Sequence, residues 1–243
     1  MTIGVDLRVL SRGSQTGVQQ YLTNLLPRLF NIGAVQSFKL FYNGFIKKPF
    51  SYNWPRLSNV ELKEFSFSNR LLDFSSNFFS WPRLDRLLGG ADVYFLPHFL
   101  VGRTNCPKVV TFHDLSFEYY PEFFSAKRKL WHRSVNPKKT AEQAERIIAD
   151  SESTKQDLID LYGIKPSKIR VVYLGVDKFK VKSQKSKVKN IIQNLKDKYK
   201  IKDNYILSVG TLEPRKNLER TIEAFNLTMK QCNNLTMKLV LAG

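Results

Sequence analysis

The feature that most constrains the fold is the alternation of short β-rich runs with helical patterns along the chain. Such runs occupy residues 2–7, 38–42, 60–64, 92–96, 108–112, 146–149 and 169–173. Strands that alternate with helical segments are typical of parallel sheets, because parallel neighbours need a crossover connection. We therefore predict an α/β fold built on a doubly wound parallel sheet.

The first helix has the clearest pattern. Its apolar residues recur at the spacings i, i+3, i+4, i+7, i+8 and i+11, which places them on one face: Val18, Tyr21, Leu22, Leu25, Leu26 and Leu29. Pro27 lies inside this pattern and removes a backbone hydrogen bond, at a cost of about 3 kcal/mol in a regular helix interior. We expect Pro27 to kink the helix or end it early.

The last forty residues predict a second α/β unit. They read as a strand, a loop at 210–217, a helix, and an apolar strand at 237–242. Two strands and one helix cannot bury both faces of a parallel sheet. We therefore predict a complete domain over residues 1–177, a lysine-rich linker over 178–202, and the start of an incomplete second domain over 203–243. The apolar strand residues of this second unit should remain partly uncovered: Ile206, Leu207, Val209, Leu239 and Leu241.

Two segments raise the question of surface partners. The net charge is +18, and residues 178–202 contain ten lysines and one acidic residue. This run contains only two aromatic residues, Phe179 and Tyr199, and no recognition motif of the usual kinds occurs elsewhere, so we do not expect nucleic-acid binding. It fits either a solvated linker or a segment attracted to anionic lipid headgroups or polyphosphate. The aromatic and basic stretch over 65–88 likewise fits either a core helix with its loop or a membrane-interface contact.

Cellular location is indicated by the cysteines and the N-terminus. Cys106 and Cys232 are far apart and lack metal-ligand spacing, which favours a reducing compartment over a disulfide framework. Charges at Asp6 and Arg8 interrupt the region where a signal peptide would be apolar, and no run approaches the roughly 20 residues of a membrane span. We expect a cytoplasmic protein, either free or peripheral at the inner face of the cell membrane.

Two glycine-containing turns could meet an anion. Residues 13–17 lie between the first strand and the first helix, where helix N–H groups are unsatisfied, although a plain strand-to-helix turn explains them equally well. The loop 210–217 carries Arg215 and Lys216 near a helix start. Cations there oppose the helix macrodipole unless an anion binds between them, which favours a phosphate ligand.

The three histidines differ in their predicted settings. His113 directly follows a strand and precedes Asp114, which places an imidazole and a carboxylate at the carboxyl edge of the sheet. We interpret it as a cleft residue, with a structural loop histidine as the alternative. His98 also follows a strand and fits either role. His132 lies among basic residues and is predicted to be on the surface. No metal site is predicted, because no His, Cys, Asp or Glu group has the required spacing.

Six motifs in order resemble one enzyme family. They are GVDLR at 4–8, TGVQQY at 16–21, FHDLS at 112–116, IIADSE at 147–152 followed by TKQDL, KIRVVYLGVD at 168–177, and VGTLEPRKNL at 209–218. Together they are similar to the retaining, two-Rossmann (GT-B) nucleotide-sugar glycosyltransferases of family 4. The mannosyltransferase-like members that build bacterial surface polysaccharides are the most similar group.

The resemblance implies a role for each matched position. Residues 1–177 would form a Rossmann-like acceptor-side domain, and 203–243 would begin the nucleotide-sugar-binding domain. Thr16 and Gly17 match the loop that faces the donor phosphate and reacting sugar, and His113 matches the cleft histidine near that sugar. Lys216 matches the lysine that neutralises the leaving diphosphate.

The loop of the second unit departs from the family pattern at one position. The usual arginine after Gly210 is Thr211, so Arg215 would supply that charge instead. The donor would be a nucleotide-diphosphate sugar and the acceptor a glycan or lipid-linked molecule. Fixed cations would stabilise the diphosphate, so the resemblance implies no metal or other cofactor.

The family also carries a later pair of glutamates that bind the donor, and residues matching them are outside this sequence. We therefore expect little or no transferase activity from these 243 residues alone. Two alternatives remain open. The chain could be half of a split glycosyltransferase completed by a partner chain, or a noncatalytic module that binds an acceptor or a partner.

Overall fold

The computed structural model describes two units that are considered separately, Met1–Gly175 and Val176–Gly243. The described residues are 1–11, 16–33, 35–44, 54, 57–79, 81–175, 185–201, 204–232 and 237–243, with side chains omitted for 185–191. None of the helices in these ranges is long and apolar enough to cross a bilayer.

The first unit is built on a seven-stranded parallel sheet, which confirms the predicted fold class. In chain order the strands are β1 Thr2–Asp6, β2 Ser37–Asn43, β3 Val60–Phe65, β4 Val93–Leu96, β5 Lys108–Phe112, β6 Arg146–Ala149 and β7 Ile169–Val171. Their spatial order is β3-β2-β1-β4-β5-β6-β7. The order reverses between β1 and β4, and the crevice at the carboxyl ends of such strands is where doubly wound folds bind ligands.

Helices and short 3-10 turns connect these strands. The helices are α1 Gly17–Ile32, α2 Asn69–Phe78, α3 Leu84–Leu87, α4 Ser116–Tyr119, α5 Ala126–Val135, α6 Pro137–Gln143 and α7 Glu152–Tyr162. The 3-10 turns are Arg8–Ser11, Pro121–Phe123 and Pro166–Lys168.

The expectation that Pro27 ends α1 early is wrong. The helix continues to Ile32, five residues beyond the proline. Leu26 and Phe30 flank Pro27 and are almost completely buried. Burial of each such side chain contributes about 1.5 to 3 kcal/mol, which offsets the roughly 3 kcal/mol cost of an interior proline. Tertiary packing therefore decides the length of this helix.

The core of the first unit lies on the sheet around β1 and β4. Val5, Leu40 and Tyr94 are almost fully buried on three neighbouring strands, and Leu22 and Leu26 of α1 are fully buried. Gly4 is needed for this packing because a Cβ there would lie 2.7 Å from the Tyr94 ring. The mostly apolar and buried residues of β4 and β5 match strands that are covered on both faces of the sheet.

The second unit contains four main elements. They are α8 Lys185–Lys198, β8 Asn204–Val209, α9 Leu218–Gln231 and β9 Met237–Ala242, with a 3-10 turn at Pro214–Lys216. β8 and β9 pair in parallel. The lysine-rich segment predicted as a linker thus includes a 14-residue helix. Apolar residues at helical spacing within this segment favour that conformation despite the density of positive charge.

The sequence predicted that five apolar strand residues of the second unit would be only partly covered, and none of the five is buried. Ile206, Leu207, Val209 and Leu241 are exposed, with 50%, 52%, 74% and 39% of their surface accessible, and Leu239 is intermediate. None of the described side chains of this unit is buried. β8 and β9 therefore form a parallel pair whose apolar side chains lack a closed core.

Candidate active site

Polar side chains gather at the carboxyl ends of three neighbouring strands in the first unit. His98 lies two residues after β4, His113 follows β5, and Asp150 follows β6. Phe112 of β5 is aligned with Ala149 of β6, so the next residues along the two strands, His113 and Asp150, lie side by side. The parallel register therefore brings together residues that are far apart in sequence.

His113 is held at both ring nitrogens. Its Nδ1 is 2.5 Å from Oδ2 of Asp150, and its Nε2 is 2.9 Å from the carbonyl oxygen of Pro97. A carbonyl only accepts hydrogen bonds, so Nε2 must carry a proton and donate it to Pro97. Nδ1 is occupied by its hydrogen bond with Asp150. In this geometry neither nitrogen is free to act as a general base.

The carboxylate partner of His113 differs from the one that sequence adjacency suggested. Asp114, the next residue, turns away and accepts hydrogen bonds from the backbone N–H and the hydroxyl of Ser116, at 3.0 and 2.6 Å. It thereby stabilises the start of α4. Asp150 takes its place, and its second oxygen, Oδ1, is buried without a hydrogen-bond partner among the described atoms.

The backbone around His113 and Asp150 is fixed by the start of α7. Ser151 is the N-cap of this helix and accepts from the N–H of Thr154. The hydroxyl of Thr154 donates to the carbonyl of His113 at 3.1 Å. These contacts tie the end of β5 to the end of β6 and pre-organise the histidine and carboxylate pair.

The start of α1 reaches the same edge of the sheet. Tyr21 packs its ring edge against His113, with centroids 5.1 Å apart, and its hydroxyl is 3.4 Å from the Thr111 hydroxyl. Burial raises the pKa of Tyr21, so it remains a neutral hydroxyl. Gly17 lies one helical turn before Tyr21, at the start of α1, so the described end of the predicted glycine turn lies at the carboxyl edge of the sheet.

Thr16 has a capping role at this helix start. Its side chain accepts from the N–H of Gln19, while the Gln19 side chain accepts from the N–H of Thr16, forming a capping box. The Thr16 side chain is therefore engaged locally. Gly17 differs, because a Cβ added to it would meet no described atom within 4 Å. Residues 13–15 of the predicted turn lie outside the described residues.

The other two histidines belong to an aromatic cluster beside the site. The His98 ring is 5.9 Å from that of His113 and stacks on Trp131 at 6.1 Å. His132 packs 4.2 Å from Phe117, and burial lowers its pKa. His132 is half-buried, so the prediction that it is a surface residue is only partly correct. Its position on α5 turns it inward, away from the exposed basic residues of the same helix.

A buried ion pair supports the carboxyl end of β1. Arg8 contacts both carboxylate oxygens of Asp6, with a shortest distance of 2.7 Å, and also bonds Asp73 of α2 and the carbonyl of Val101. Both members of the pair are buried. Burial alone would lower the pKa of Arg8, but the Asp6 carboxylate reverses the effect and raises it. The Asp6–Arg8 pair therefore stabilises the carboxyl end of β1 and does not expose its charges to solvent.

The two cations of the predicted phosphate loop in the second unit have different contacts. Arg215 pairs with Glu213, with Nε 2.9 Å from Oε2, so its charge is largely compensated. Lys216 has no such contact among the described residues, and its side chain lies near Gly210, whose added Cβ would be 3.8 Å from the Lys216 Cε. Lys216 is thus the more available cation beside Gly210 and Thr211.

Lys216 also lines a cavity of about 510 Å³ between α9 and the β8–β9 pair. The walls are largely apolar and include Ile206, Phe225 and Leu239, and the polar residues Asn217 and Arg220 lie beside Lys216. Asn217 has a positive φ of 49° and is the N-cap of α9. The loop therefore presents an ammonium group at the start of a 14-residue helix.

The described residues contain no group of three His, Cys, Asp or Glu side chains that could hold a metal ion. Sequence reasoning missed Asp150 and Tyr21 as neighbours of His113. The available signal for Asp150 was its place directly after a strand, since residues that follow adjacent parallel strands meet at one edge. Tyr21 was assigned only to the apolar face of α1.

Comparison with known proteins identifies a family and relatives. A family model described as Glycosyltransferase Family 4 matches residues 41–178. The chain is 24% identical over 241 residues to the O-antigen chain mannosyltransferase B of Escherichia coli, which covers 94% of this chain and 60% of that protein. It is 37% identical over 87 residues to the serotype-specific mannosyltransferase WbdA of Escherichia coli, which covers 35% of this chain and 10% of the relative.

The chain thus spans 60% of the length of mannosyltransferase B and 10% of the length of WbdA. Among solved structures, a glycosyltransferase from Rickettsia africae ESF-5 aligns with a TM-score of 0.48 and 14% identity, covering 100% of this chain and 68% of that one.

Proposed function

Because this chain belongs to glycosyltransferase family 4, we propose that it takes part in the transfer of a hexose from a nucleotide-diphosphate sugar to a glycan or lipid-linked acceptor. Mannose is the first candidate sugar, since both relatives in the comparison are named mannosyltransferases. Retention of configuration and a two-domain GT-B arrangement are parts of the same proposal. The family match over residues 41–178, which includes His113 and Asp150, carries it.

In this proposal the first unit presents the wall against which the sugar reacts. His113 is fixed by Asp150 and Pro97, and Gly17 leaves open space near the same edge. Both histidine nitrogens are already bonded, so we assign His113 a charge-stabilising contact with the sugar rather than proton abstraction. Asp150 is a positioning residue that acts through His113.

The second unit supplies the charge for the leaving group. Cleavage of the sugar-phosphate bond places negative charge on the departing diphosphate, and an ammonium group beside helix N–H groups stabilises it. Lys216 serves this purpose beside Gly210 and Thr211, while Arg215 contributes less because Glu213 compensates its charge. We propose that no metal is required. Turnover that EDTA abolishes and Mg²⁺ restores would contradict this part.

We also propose that the 243 residues alone turn over slowly. None of the described side chains of the second unit is buried, so the loop that carries Lys216 lacks a rigid support. A loop without rigid support positions the Lys216 ammonium group less accurately, and less accurate positioning of a group that contacts the leaving diphosphate lowers the rate of transfer. The free cysteines, Cys106 and Cys232, support a cytoplasmic location for the reaction.

The test is donor binding and turnover by the purified chain. Calorimetry with GDP-mannose and UDP-sugars measures affinity, and release of nucleoside diphosphate measures reaction. Lys216→Ala should weaken donor binding by about 10- to 100-fold, the range expected for a charge-assisted hydrogen bond worth about 1.5 to 3 kcal/mol. Lys230→Ala removes an exposed lysine of α9, the helix that follows the Lys216 loop, and is the matched control.

Three further variants separate the roles of the loop and the first unit. Arg215→Ala should weaken binding less than Lys216→Ala, whereas Glu213→Gln should preserve or improve it by releasing Arg215. Asp150→Asn should lower kcat more than it changes KM, and ¹⁵N spectra of the His113 ring should show an altered hydrogen bond at Nδ1. Equal effects of Lys216→Ala and Lys230→Ala would refute the loop assignment.

The exposed apolar residues of β8 and β9 favour one alternative, a noncatalytic module or half of a split enzyme completed by a partner chain. Exposed apolar strands are typical of surfaces that another chain covers. Acceptor binding without donor binding would favour the module. Recovery of donor binding after addition of a separately expressed second domain would favour the split enzyme.

A further inference from the structure

The outer face of α2 is apolar and exposed to solvent. Leu71, Phe74 and Phe78 recur at i, i+3 and i+7 and are 69%, 53% and 72% exposed. The apolar surface continues beyond the helix through Phe79 and Trp81. The opposite face is anchored, since Leu72 and Ser76 are buried and Asp73 is bound to Arg8. The aromatic face is therefore held outward by a fixed inner face.

A hydrogen bond joins this face to α5. The side-chain N–H of Asn77 donates to the carbonyl of Ser134 at 2.9 Å. Leu130 lies one helical turn before Ser134 on α5, Arg133 lies three residues after Leu130, and both are exposed. We call the exposed apolar and basic residues of the two neighbouring helices and the segment after α2 the α2–α5 surface: Arg70, Leu71, Phe74, Phe78, Phe79, Trp81, Lys127, Leu130 and Arg133.

The charge on this surface is positive. α5 contains Lys127, Arg128, Lys129 and Arg133 and no acidic residue. On α2 the single acidic side chain, Asp73, bonds to Arg8 on the inner side, while Arg70 is exposed. Exposed aromatic residues beside lysine and arginine are the composition of helices that lie in a membrane interface.

We propose that the α2–α5 surface docks on an anionic lipid bilayer. The aromatic side chains enter the boundary between headgroups and acyl chains, and the surrounding cations contact lipid phosphates. Charge complementarity decides between lipid and a second copy of the chain. Two copies meeting through this surface would bring like charges together, on a chain with a net charge of +18.

Docking there would bring the candidate site close to the lipid. The inner side of α5 carries Trp131, which stacks on His98, and His98 is 5.9 Å from His113. An acceptor attached to a lipid would then meet the sheet edge without leaving the membrane. Binding to vesicles does not depend on the transferase proposal, because it can be measured without donor or turnover.

The experiment uses the full chain and sedimentation with lipid vesicles. We expect binding to vesicles of 70% phosphatidylcholine and 30% phosphatidylglycerol, and at least tenfold weaker binding to phosphatidylcholine alone. The double variant Phe74→Ser/Phe78→Ser should lower partitioning onto the anionic vesicles by at least tenfold. Ile32→Ser, which removes an exposed apolar residue at the end of α1, should not. Circular dichroism melts confirm that each variant is folded.

A charge series and a fluorescence measurement complete the test. Lys127→Gln/Arg133→Gln should weaken binding more than Lys165→Gln/Arg170→Gln, which removes two exposed cations elsewhere in the first unit. Trp81 emission should shift to the blue with vesicles, and Trp81→Phe should remove most of that shift. The proposal is overturned if the Phe74 and Phe78 variant binds like the wild type. It is equally overturned if light scattering shows a dimer that this variant dissociates while vesicles leave Trp81 unchanged.

Discussion

Both units contain the same local pattern of a strand, a 3-10 turn and a helix, from β1 to α1 and from β8 to α9, yet they differ in burial. In the first unit, β1 has a strand on each side and α1 packs Leu22 and Leu26 into a closed core. In the second, β8 is paired with β9 and its described apolar residues remain exposed. The comparison shows that local sequence is enough to form the elements, whereas burial depends on how many neighbours each element has.

The two units also differ in the burial of two ion pairs that have the same spacing in the sequence. Asp6 and Arg8, at the end of β1, are two residues apart, as are Glu213 and Arg215 after β8. The first pair is buried, with 0% and 4% of the side chains exposed, and the second has 25% and 38% exposed. Removal of one partner should therefore have very different consequences in the two units.

Breaking the two pairs gives the largest expected contrast. Asp6→Ala leaves Arg8 buried without its main counterion and should lower the free energy of unfolding by about 3 to 5 kcal/mol. Glu213→Ala should change it by less than about 1 kcal/mol, since exposed pairs are weak. Urea unfolding followed by tryptophan fluorescence reports the first unit, which contains Trp54, Trp81 and Trp131. Hydrogen exchange in β8 reports the second.

A matched double variant controls for the ion-pair result. Asp6→Ala/Arg8→Met removes the uncompensated charge and should recover part of the lost stability. If Asp6→Ala alone costs no more than Glu213→Ala, the two environments are equivalent and the contrast between the units fails.

Truncation of one apolar residue in each unit gives the next largest contrast. Leu26→Ala creates a cavity at a fully buried position and should cost about 2 to 5 kcal/mol. Ile206→Ala removes a side chain that is half exposed and should cost less than about 1 kcal/mol. Urea unfolding and hydrogen exchange again provide the measurements. A cost above 2 kcal/mol for Ile206→Ala would indicate that the strand is buried in solution.

The smallest effect concerns a charge buried within the first unit. Lys108 is 8% exposed at the start of β5 and donates to the carbonyl of Gly102. Burial, together with the charges of Arg103 and Arg83, lowers the pKa of Lys108 to about 8. Between pH 8 and 10.5 the unfolded chain holds this proton more tightly, so the contribution of Lys108 to stability rises with pH.

Replacement of this lysine tests the sign of that effect. Lys108→Met should stabilise the first unit by about 1 to 3 kcal/mol at pH 7, because about 1.4 kcal/mol corresponds to each unit of pKa. The advantage should decline as the pH rises past 8 and vanish near 10.5. Lys138→Met, at an exposed position, is the control. An advantage that does not depend on pH would point to packing instead.

The fold of the first unit was largely predictable because strand and helix periodicities are local. All seven strand positions were predicted to within two residues of their observed ends, and β5 and β6 matched fully. Of the two outcomes expected at Pro27, the early end of α1 was wrong, because the local penalty is outweighed by burial of Leu26 and Phe30. Sequence propensity gives the cost of a residue in a helix but contains no information about the core that compensates it.

The candidate site was predictable only in part. His113 was placed correctly at the carboxyl end of a strand, but its carboxylate was taken from the adjacent Asp114 instead of Asp150 on the neighbouring strand. Arg215 and Lys216 were predicted to bind the phosphate together, whereas in the structure Glu213 pairs with Arg215 and compensates its charge. Strand order and side-chain direction govern these contacts, and neither is encoded in the spacing of residues along the chain.

By itself, the sequence determined the class of fold, the alternation of elements and the motifs shared with glycosyltransferase family 4. Periodicity and local backbone chemistry act over a few residues, so they can be read directly. The tertiary structure decided which carboxylate holds His113, which way His132 turns, and which aromatic residues of α2 face solvent. Those outcomes depend on contacts between residues distant in sequence, and only the packed sheet brings such residues together.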